Sequence, residues 1–304
     1  MSKLGYACIN MTLGQKGILT GRAMREATLH AKGIGYASEL ALQNAKDLYA
    51  ILKWNVENDI YFFRLGSDLF PWGNKMNVRM LPDFEEISHV LIQCGQFAKD
   101  NGVRITTHPG PFNLLASPND EVVVNTIRDL EMHALVFDLM GLSRTPYNKI
   151  NIHVGATYGD KETAAATWCR NFHRLSEGVR SRLTIENDDK ANMYSVVDLH
   201  RLIHSEVGIP IVFDYHHHTF NTGDLTERLA LHLAASTWKD ITPAVHYSES
   251  KALHENNSKL NPRAHSDYIN GPINLHGLDV DVMIEAKAKE LTLLEFRKKE
   301  NILL

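Results

Sequence analysis

The sequence predicts an α/β fold, a single (β/α)8 TIM barrel with a metal site at the C-terminal ends of its strands. Three observations support this fold class. Short apolar segments alternate with helical patterns, most of the segments end in a histidine or a carboxylate, and no linker divides the chain. A length of 304 residues with 44% hydrophobic content is typical of one such barrel. We therefore expect a single domain over 1–304, with strand-end motifs in 4–290 and a short C-terminal extension, 291–304.

The predicted strands are short and rich in β-branched and aromatic residues. They cover 4–8, 61–66, 103–108, 149–155, 182–188, 211–218, 243–248 and 281–287. Apolar residues spaced three and four apart predict a helix from Ala37 to Leu52. Further helices are expected at 84–100, 117–141, 161–177, 196–207 and 225–238. A long loop is expected before the first helix, through Gly35, and another over 67–82.

Composition and charge narrow the class of protein. Lys and Arg total 32 against 36 Asp and Glu, a net charge of −4, which argues against binding nucleic acid through bulk charge alone. The three cysteines lie far apart and indicate neither a disulfide framework nor a thiolate zinc site. No signal peptide or membrane span is evident, so we expect a soluble protein of the cytoplasm or nucleoid. Nothing in the sequence indicates a membrane or an obligate protein partner.

Side chains that commonly bind metals stand at the ends of six consecutive predicted strands. They are His108, His153, Glu186, Asp214, His217, His246 and Glu285. A single histidine at a strand end is more often a hydrogen-bonded core residue than a ligand. Because the C-terminal ends of barrel strands meet at one face, however, this set should converge, and packing alone does not explain it.

Imidazole and carboxylate ligands without thiolates suit manganese or zinc, and their number exceeds what one ion accepts. We therefore expect two or three divalent ions. Closely spaced divalent ions activate water and stabilise a phosphate undergoing displacement, which makes phosphodiester hydrolysis the expected chemistry. Three such ions would add about six positive charges at the cleft, so the negative net charge does not exclude DNA.

Motifs at the ends of the predicted strands occur in a fixed order along the chain. They are L-G-Y-A-C-I-N-M-T-L-G, F-R-L-G, T-H-P-G, H-V-G-A-T-Y-G-D-K, L-T-I-E-N-D-D, F-D-Y-H-H-H, A-V-H-Y-S and V-M-I-E-A-K-A-K-E. By these motifs, from about Leu4 to Glu290, the chain resembles the UV damage endonucleases. An ordered set of this kind is far more specific than any one motif.

The resemblance implies a barrel enzyme that takes part in DNA repair. It implies up to three ions, with Mn²⁺ expected and Zn²⁺ or Mg²⁺ as alternatives. The expected substrate is double-stranded DNA containing UV lesions, namely cyclobutane dimers and 6-4 photoproducts, with abasic sites as a further candidate. The expected reaction nicks the backbone immediately 5′ of the lesion and leaves 3′-hydroxyl and 5′-phosphate ends.

The resemblance also implies how the ligands divide among the ions. One set is His108, His153 and Glu186; a second is Glu186, Asp214, His246 and Glu285; a third is His217 and His265. Glu186 would bridge two ions.

Other residues are assigned by the same resemblance. Tyr6, Asp68 and Lys287 join Glu186 as catalytic candidates. Asn10, Pro111, Phe112 and Trp72 are candidates for contact with DNA or the lesion. For Tyr6 and Asn10 a plain structural role is an equal alternative, and the aromatic and basic loop 67–82 could equally be a packed lid.

Three positions depart from the family pattern. Pro111 and Phe112 stand where a Gln-Tyr wedge is expected, Asp68 stands in place of a histidine, and Ala244 in place of a modified lysine. Phe112 can stack but cannot donate a hydrogen bond. These changes bear on lesion preference and metal affinity rather than on the class of reaction.

Two rival functions remain open. The set Glu186, Asp214, His217 and Glu285 also resembles that of metal-dependent sugar isomerases on the same barrel. His108 and His153, and a loop too large for a monosaccharide, argue against that function. A non-catalytic, metal-dependent DNA-binding protein is the third alternative.

Overall fold

A computed structural model describes residues 2–300 and confirms the predicted barrel. Its eight strands are β1 Leu4–Ala7, β2 Phe62–Leu65, β3 Arg104–Thr107, β4 Ile150–Ile152, β5 Leu183–Glu186, β6 Ile211–Val212, β7 Ala244–Tyr247 and β8 Asp281–Ile284. Each lies within a predicted segment. The short β-branched runs are therefore buried strands, as their composition indicates.

The strands form one parallel sheet that is nearly closed on itself. Their order is β6-β5-β4-β3-β2-β1-β8-β7. Between β6 and β7 a single parallel bridge joins Asp214 to His246, where the His246 amide donates to the Phe213 carbonyl over 2.9 Å. Because all strands point the same way, their C-terminal ends meet on one face.

The helices cover the outside of the barrel. They are α1 Met11–Gly14, α2 Glu26–Glu57, α3 Phe84–Asp100, α4 Asp120–Leu139, α5 Lys161–Phe172, α6 Glu177–Arg180, α7 Val196–Leu199, α8 Ser205–Val207, α9 Tyr215–His218, α10 Glu227–Ser236, α11 Lys251–His254 and α12 Glu290–Lys299. A π-helical turn, His200–His204, joins α7 to α8. None of the described helices is long and apolar enough to cross a membrane.

The segment before Ala37 is the main departure from the predicted secondary structure. It was expected to be a loop through Gly35, but α2 begins at Glu26 and kinks at Gly33, whose φ is +73°. Residues 26–36 are mostly exposed, so they lack the apolar periodicity on which the prediction relied. Glycine accepts this left-handed backbone without strain.

The C-terminal end of the chain also differs from expectation. Residues 291–299, predicted as part of an extension, belong to α12, which packs on the barrel through buried Leu293 and Phe296. The last four residues of the predicted extension lie outside the described part of the chain. The domain boundary 1–304 stays a prediction.

A buried ion pair occupies the barrel interior near the start of the strands. Arg104 of β3 donates from Nη1 to Asp281 Oδ2 of β8 over 2.8 Å. Its guanidinium also lies over the rings of Tyr147, Phe62 and Trp238, at 4.7 to 5.6 Å from their centroids. The interior is therefore filled at this end, and the site described next lies at the opposite end.

Candidate metal centre

The ligand-type side chains at the strand ends converge, as the sequence predicts. Three groups have one ligand atom from each member within 4.8 Å of the others: His108, Glu186 and His246; His153, Glu186 and His217; Asp214, His246 and Glu285. All seven strand-end candidates belong to at least one group. Glu186 and His246 each belong to two.

Glu186 lies at the middle of the cluster and is almost completely buried, at 1% exposure. Its Oε2 is 3.0 Å from His108 Nε2 and 3.1 Å from His246 Nδ1, while Oε1 is 3.5 Å from His217 Nδ1. Burial raises its pKa, but attraction to His246 and His153 outweighs this and holds the pKa well below its usual value. Imidazoles therefore surround both oxygens, which is the position that a bridging ligand needs.

Three histidines are oriented by backbone carbonyls. The Nδ1 atoms of His108, His217 and His265 lie 3.2, 2.8 and 2.8 Å from the carbonyl oxygens of Pro109, Asn187 and Glu285. A carbonyl can only accept, so each of these contacts uses a proton on Nδ1 and leaves Nε2 as the nitrogen that an ion would bind. Metal-binding histidines commonly have this arrangement.

His246 has the opposite orientation. Its Nε2 lies 2.9 Å from Nζ of Lys149, and its Nδ1 lies 3.1 Å from both Glu186 Oε2 and Glu285 Oε1. His246 and Lys149 are completely buried, and burial lowers the pKa of Lys149 to about 7. Nδ1 is therefore the nitrogen that His246 presents to the ligand cluster.

Asn187 ties the ends of β5 and β6 together. Its side-chain oxygen accepts from the Asp214 amide over 2.8 Å, and its side-chain nitrogen donates to the Asp214 carbonyl over 3.1 Å. Asp214 in turn caps α9 by accepting from the His217 amide over 2.8 Å. One short turn therefore positions both ligands of the F-D-Y-H-H-H motif.

The donor set fits divalent ions. Asp214 Oδ2 and His246 Nδ1 are buried and have no hydrogen-bond partner, although both face the cluster. Burial also raises the pKa of Asp214 to about 7. Unpaired buried polar atoms are costly, and an ion between imidazole and carboxylate ligands would satisfy them.

The structure groups the ligands differently from the sets that the resemblance implies. His108 lies with His246 and His153 with His217, whereas His108 and His153 were expected to share an ion. His265 joins no group among residues 2–300, since its Nδ1 faces the Glu285 backbone and is 4.0 Å from the Glu285 carboxylate. His217 and His153 follow β6 and β4, the strands on either side of β5, so both reach Glu186 at the end of β5.

Three polar residues of the cluster were missed by sequence reasoning. Arg64 pairs through Nη1 with Glu285, Asn151 donates to Glu186 Oε2, and Lys149 contacts His246. A signal existed for two of them. Lys149, Asn151 and His153 occupy every second position, alternating with isoleucines, so all three point into the barrel.

The profile of the family described as UV-endonuclease UvdE matches residues 2–302. The chain belongs to this family. It is 35% identical to the UV-damage endonuclease of Schizosaccharomyces pombe over 98% of this chain, but it spans only about half of that relative, 50% of its length.

Solved structures agree with the UvdE assignment. The crystal structure of SacUVDE superposes with a TM-score of 0.86 at 30% sequence identity, over 100% of both chains. The 3-keto-D-glucoside 4-epimerase YcjR from E. coli superposes with a TM-score of 0.57 at 12% identity, covering 98% of this chain and 100% of the epimerase. This second likeness shows a shared fold only.

Tyr6, a catalytic candidate by the UvdE resemblance, and Asn10, a candidate for contact with DNA, are both buried in this structure. Tyr6 points to the outside of the barrel against α2, where its hydroxyl donates to Asn55 over 2.8 Å and accepts from Asn10 over 2.9 Å. Both Tyr6 and Asn10 are at most 1% exposed. Neither has a free face for stacking, so their contact with DNA stays a prediction that this arrangement does not support.

The remaining UvdE candidates lie around the cluster without joining it. Asp68 is exposed and belongs to none of the three ligand groups. Trp72 is half-buried and donates to the Met24 carbonyl over 2.9 Å, so the aromatic part of loop 67–82 is packed. Lys287 is exposed on the loop after β8.

The Pro111–Phe112 pair stands free of the barrel. Both residues are exposed, and the Phe112 side chain is 85% accessible. Their loop follows His108, so it projects from the same face as the metal ligands. An aromatic ring this exposed contributes little to folding and is available to contact a partner.

Proposed function

We propose that this chain is a metal-dependent DNA repair endonuclease. Its proposed reaction nicks double-stranded DNA immediately 5′ of UV photoproducts and leaves 3′-hydroxyl and 5′-phosphate ends. The observation that carries the proposal is Glu186, a buried carboxylate shared by two ligand groups at the end of the barrel where such enzymes keep their active sites. Membership of the UvdE family supports DNA as the substrate.

Two bound ions, proposed to be Mn²⁺, fit the geometry better than three. Two of the three groups use His246, and only its Nδ1 faces the cluster, so these two groups cannot be filled by separate ions. Glu186 has two oxygens and can bridge. When bound, such ions would supply an activated water and stabilise charge on the phosphate.

Residues around the cluster would hold the DNA. Phe112 is placed to stack in the gap that the damaged nucleotides leave, and base–aromatic stacking is worth about 1–3 kcal/mol per base. Lys287, exposed beside Glu285, would meet a backbone phosphate. The net charge of −4 means that binding relies on these local contacts and on the ions.

A nicking assay tests the proposal directly. Supercoiled plasmid, irradiated or not, is incubated with the protein and Mn²⁺, with EDTA as the control. We expect nicking of irradiated plasmid only, abolished by EDTA, and an end-labelled duplex should show the cut immediately 5′ of the lesion.

Other outcomes would support the rivals. Equal nicking of both plasmids would exclude lesion specificity. Metal-dependent binding of irradiated DNA without nicking would indicate a non-catalytic binding protein. Conversion of aldoses to ketoses without nicking would indicate a sugar isomerase.

A further inference from the structure

The residue after Asn187 contacts a metal ligand on the neighbouring strand. Asp188 Oδ1 lies 3.2 Å from Nδ1 of His153, whose Nε2 is 3.9 Å from Glu186 Oε2. Both side chains are largely buried, and Asp188 is 9% exposed. The carboxylate is therefore on the side of the imidazole that faces away from Glu186.

His153 lacks the support that fixes the other histidines. His108, His217 and His265 each place Nδ1 against a backbone carbonyl, and His246 places its outer nitrogen against Lys149. His153 Nδ1 is buried and makes no hydrogen bond within residues 2–300, and the acceptor beside it is the Asp188 carboxylate, 3.2 Å away. Without that acceptor, nothing would select the tautomer or the ring orientation.

Asp188 is itself held in place. Its amide donates to the Tyr194 carbonyl over 2.8 Å, its Oδ2 accepts from the Tyr194 amide over 3.4 Å, and its carbonyl accepts from Asn221 Nδ2 over 3.2 Å. Two of these contacts hold the Asp188 backbone, and the third, from the Tyr194 amide, restrains its carboxylate. It can therefore transmit a fixed orientation to the ring it faces.

We propose that Asp188 is a positioning residue of the metal centre, which holds the His153 ring with Nδ1 protonated and Nε2 directed at the ion beside Glu186. This inference rests on the metal dependence of the proposed function. A carboxylate behind a metal-binding histidine orients the ring and makes it a more basic ligand, and its loss typically costs 10–100-fold in metal affinity.

The next residue provides a matched control. Asp189 belongs to the same motif and loop, but its carboxylate pairs with Arg263 at 3.0 Å. It belongs to none of the three ligand groups in residues 2–300. Asp188 and Asp189 therefore carry the same charge on the same loop. They differ in their partners, because Asp188 contacts His153 and Asp189 contacts Arg263.

The test compares Asp188→Ala, Asp188→Asn and Asp189→Asn with wild type. Metal-depleted protein is titrated with Mn²⁺ by calorimetry, and the melting temperature is measured without metal. We expect Asp188→Ala to weaken the affinity for one of the two Mn²⁺ ions by about 10–100-fold and to leave the affinity for the other unchanged. Asp188→Asn retains an uncharged acceptor and should lose less, and Asp189→Asn should bind as wild type.

Wild-type Mn²⁺ affinity in Asp188→Ala would overturn the inference. An equal loss of affinity for both ions, together with a lower melting temperature of the metal-free protein, would also overturn the inference. This result is expected if Asp188 only stabilises the fold. If Asp188→Ala does not fold, Asp188→Asn serves as the test. Wild-type Mn²⁺ affinity in Asp188→Asn would then contradict the inference. If the wild-type protein does not nick irradiated DNA, the proposed function is wrong. The Mn²⁺ titration would still test the role of Asp188.

Discussion

The Glu186 carboxylate lies at the centre of the candidate metal site and belongs to two of its three ligand groups. It is almost completely buried, and four imidazoles approach it, those of His108, His153, His217 and His246. Burial raises its pKa, but His246, His153 and His108 outweigh this and hold the pKa well below its usual value. A buried carboxylate without such partners would protonate instead. Its charge would therefore attract cations to this point of the fold.

Glu186→Gln should abolish nicking of irradiated plasmid almost completely while the protein stays folded. The amide has nearly the same shape, but it cannot bridge two cations with a full negative charge. Plasmid nicking, metal content by elemental analysis and circular dichroism measure the three effects.

Glu162→Gln is the control for this change. Glu162 is an exposed glutamate that pairs with Arg201 at 2.9 Å, on the outer surface. It should nick as wild type. Survival of both metal content and activity in Glu186→Gln would show that Glu186 does not bridge.

Phe112→Ala should slow incision of a lesion in duplex DNA by about 5- to 150-fold, the range that stacking energies imply. Metal content should not change, because a phenyl ring binds no ion. The melting temperature should not change either, because the side chain is 85% exposed. Incision assays, elemental analysis and thermal melting on one preparation separate these effects.

A control at another exposed apolar position is Leu253→Ala in α11, where the residue is 81% exposed. It should behave as wild type in all three measurements. Wild-type incision by Phe112→Ala together with a lowered melting temperature would make Phe112 a packing residue.

The contact between α3 and the end of α4 leaves no room for a side chain. A Cβ placed on Gly95 of α3 would lie 1.7 Å from the carbonyl oxygen of Met140, which follows α4. A backbone carbonyl cannot rotate away as a flexible side chain can. The two helices can pack this closely only because residue 95 is glycine.

Gly95→Ala should therefore lower the free energy of unfolding by about 1–3 kcal/mol or more, since the helices must separate. Gly35→Ala in α2 is the matched control, because nothing lies within 4 Å of its Cβ. Alanine there should gain about 0.5–1 kcal/mol from helix propensity. Denaturant unfolding of both variants measures this, and equal stability in the two would contradict the packing argument.

The barrel holds buried charged groups at both ends, the Arg104–Asp281 ion pair at one end and the cluster of candidate metal ligands at the other. Arg104 and Asp281 connect β3 and β8 through the interior, with side chains 0% and 4% exposed. Both partners are hydrogen bonded, Asp281 also by the Lys3 amide over 2.8 Å. The pair therefore closes the end of the barrel that the metal ligands do not occupy.

Arg104→Met should destabilise the protein by about 3–5 kcal/mol, because it leaves the Asp281 carboxylate buried without its cation. Arg104→Met combined with Asp281→Leu should recover much of this loss, since it removes both charges. Denaturant unfolding measures both variants. Mn²⁺ affinity should be unchanged in each, and a double variant no more stable than the single one would show that the pair is not the cause.

Much of the architecture and of the ligand set could be predicted from the sequence. Every strand was located because a buried parallel strand needs a short run of β-branched residues, whatever surrounds it. The convergence of the seven candidate ligands could be predicted because carboxylates and imidazoles at the ends of such runs are costly to bury unless they meet suitable partners. The exposed start of α2 at Glu26 was not predicted, because it has no apolar face and therefore no helical spacing of apolar residues in the sequence.

What only the tertiary structure decided is which of these residues meet. Across the end of the barrel His108 lies near His246, and His153 near His217, in groups that differ from the sets implied by the motifs. Alternation along β1 turns Tyr6 outward against Asn55, on the side of the strand that faces away from the cluster. The contact of Asp188 with His153 joins two loops 35 residues apart in sequence. Distances between side chains depend on packing across the barrel, and one chain's residue order does not contain them.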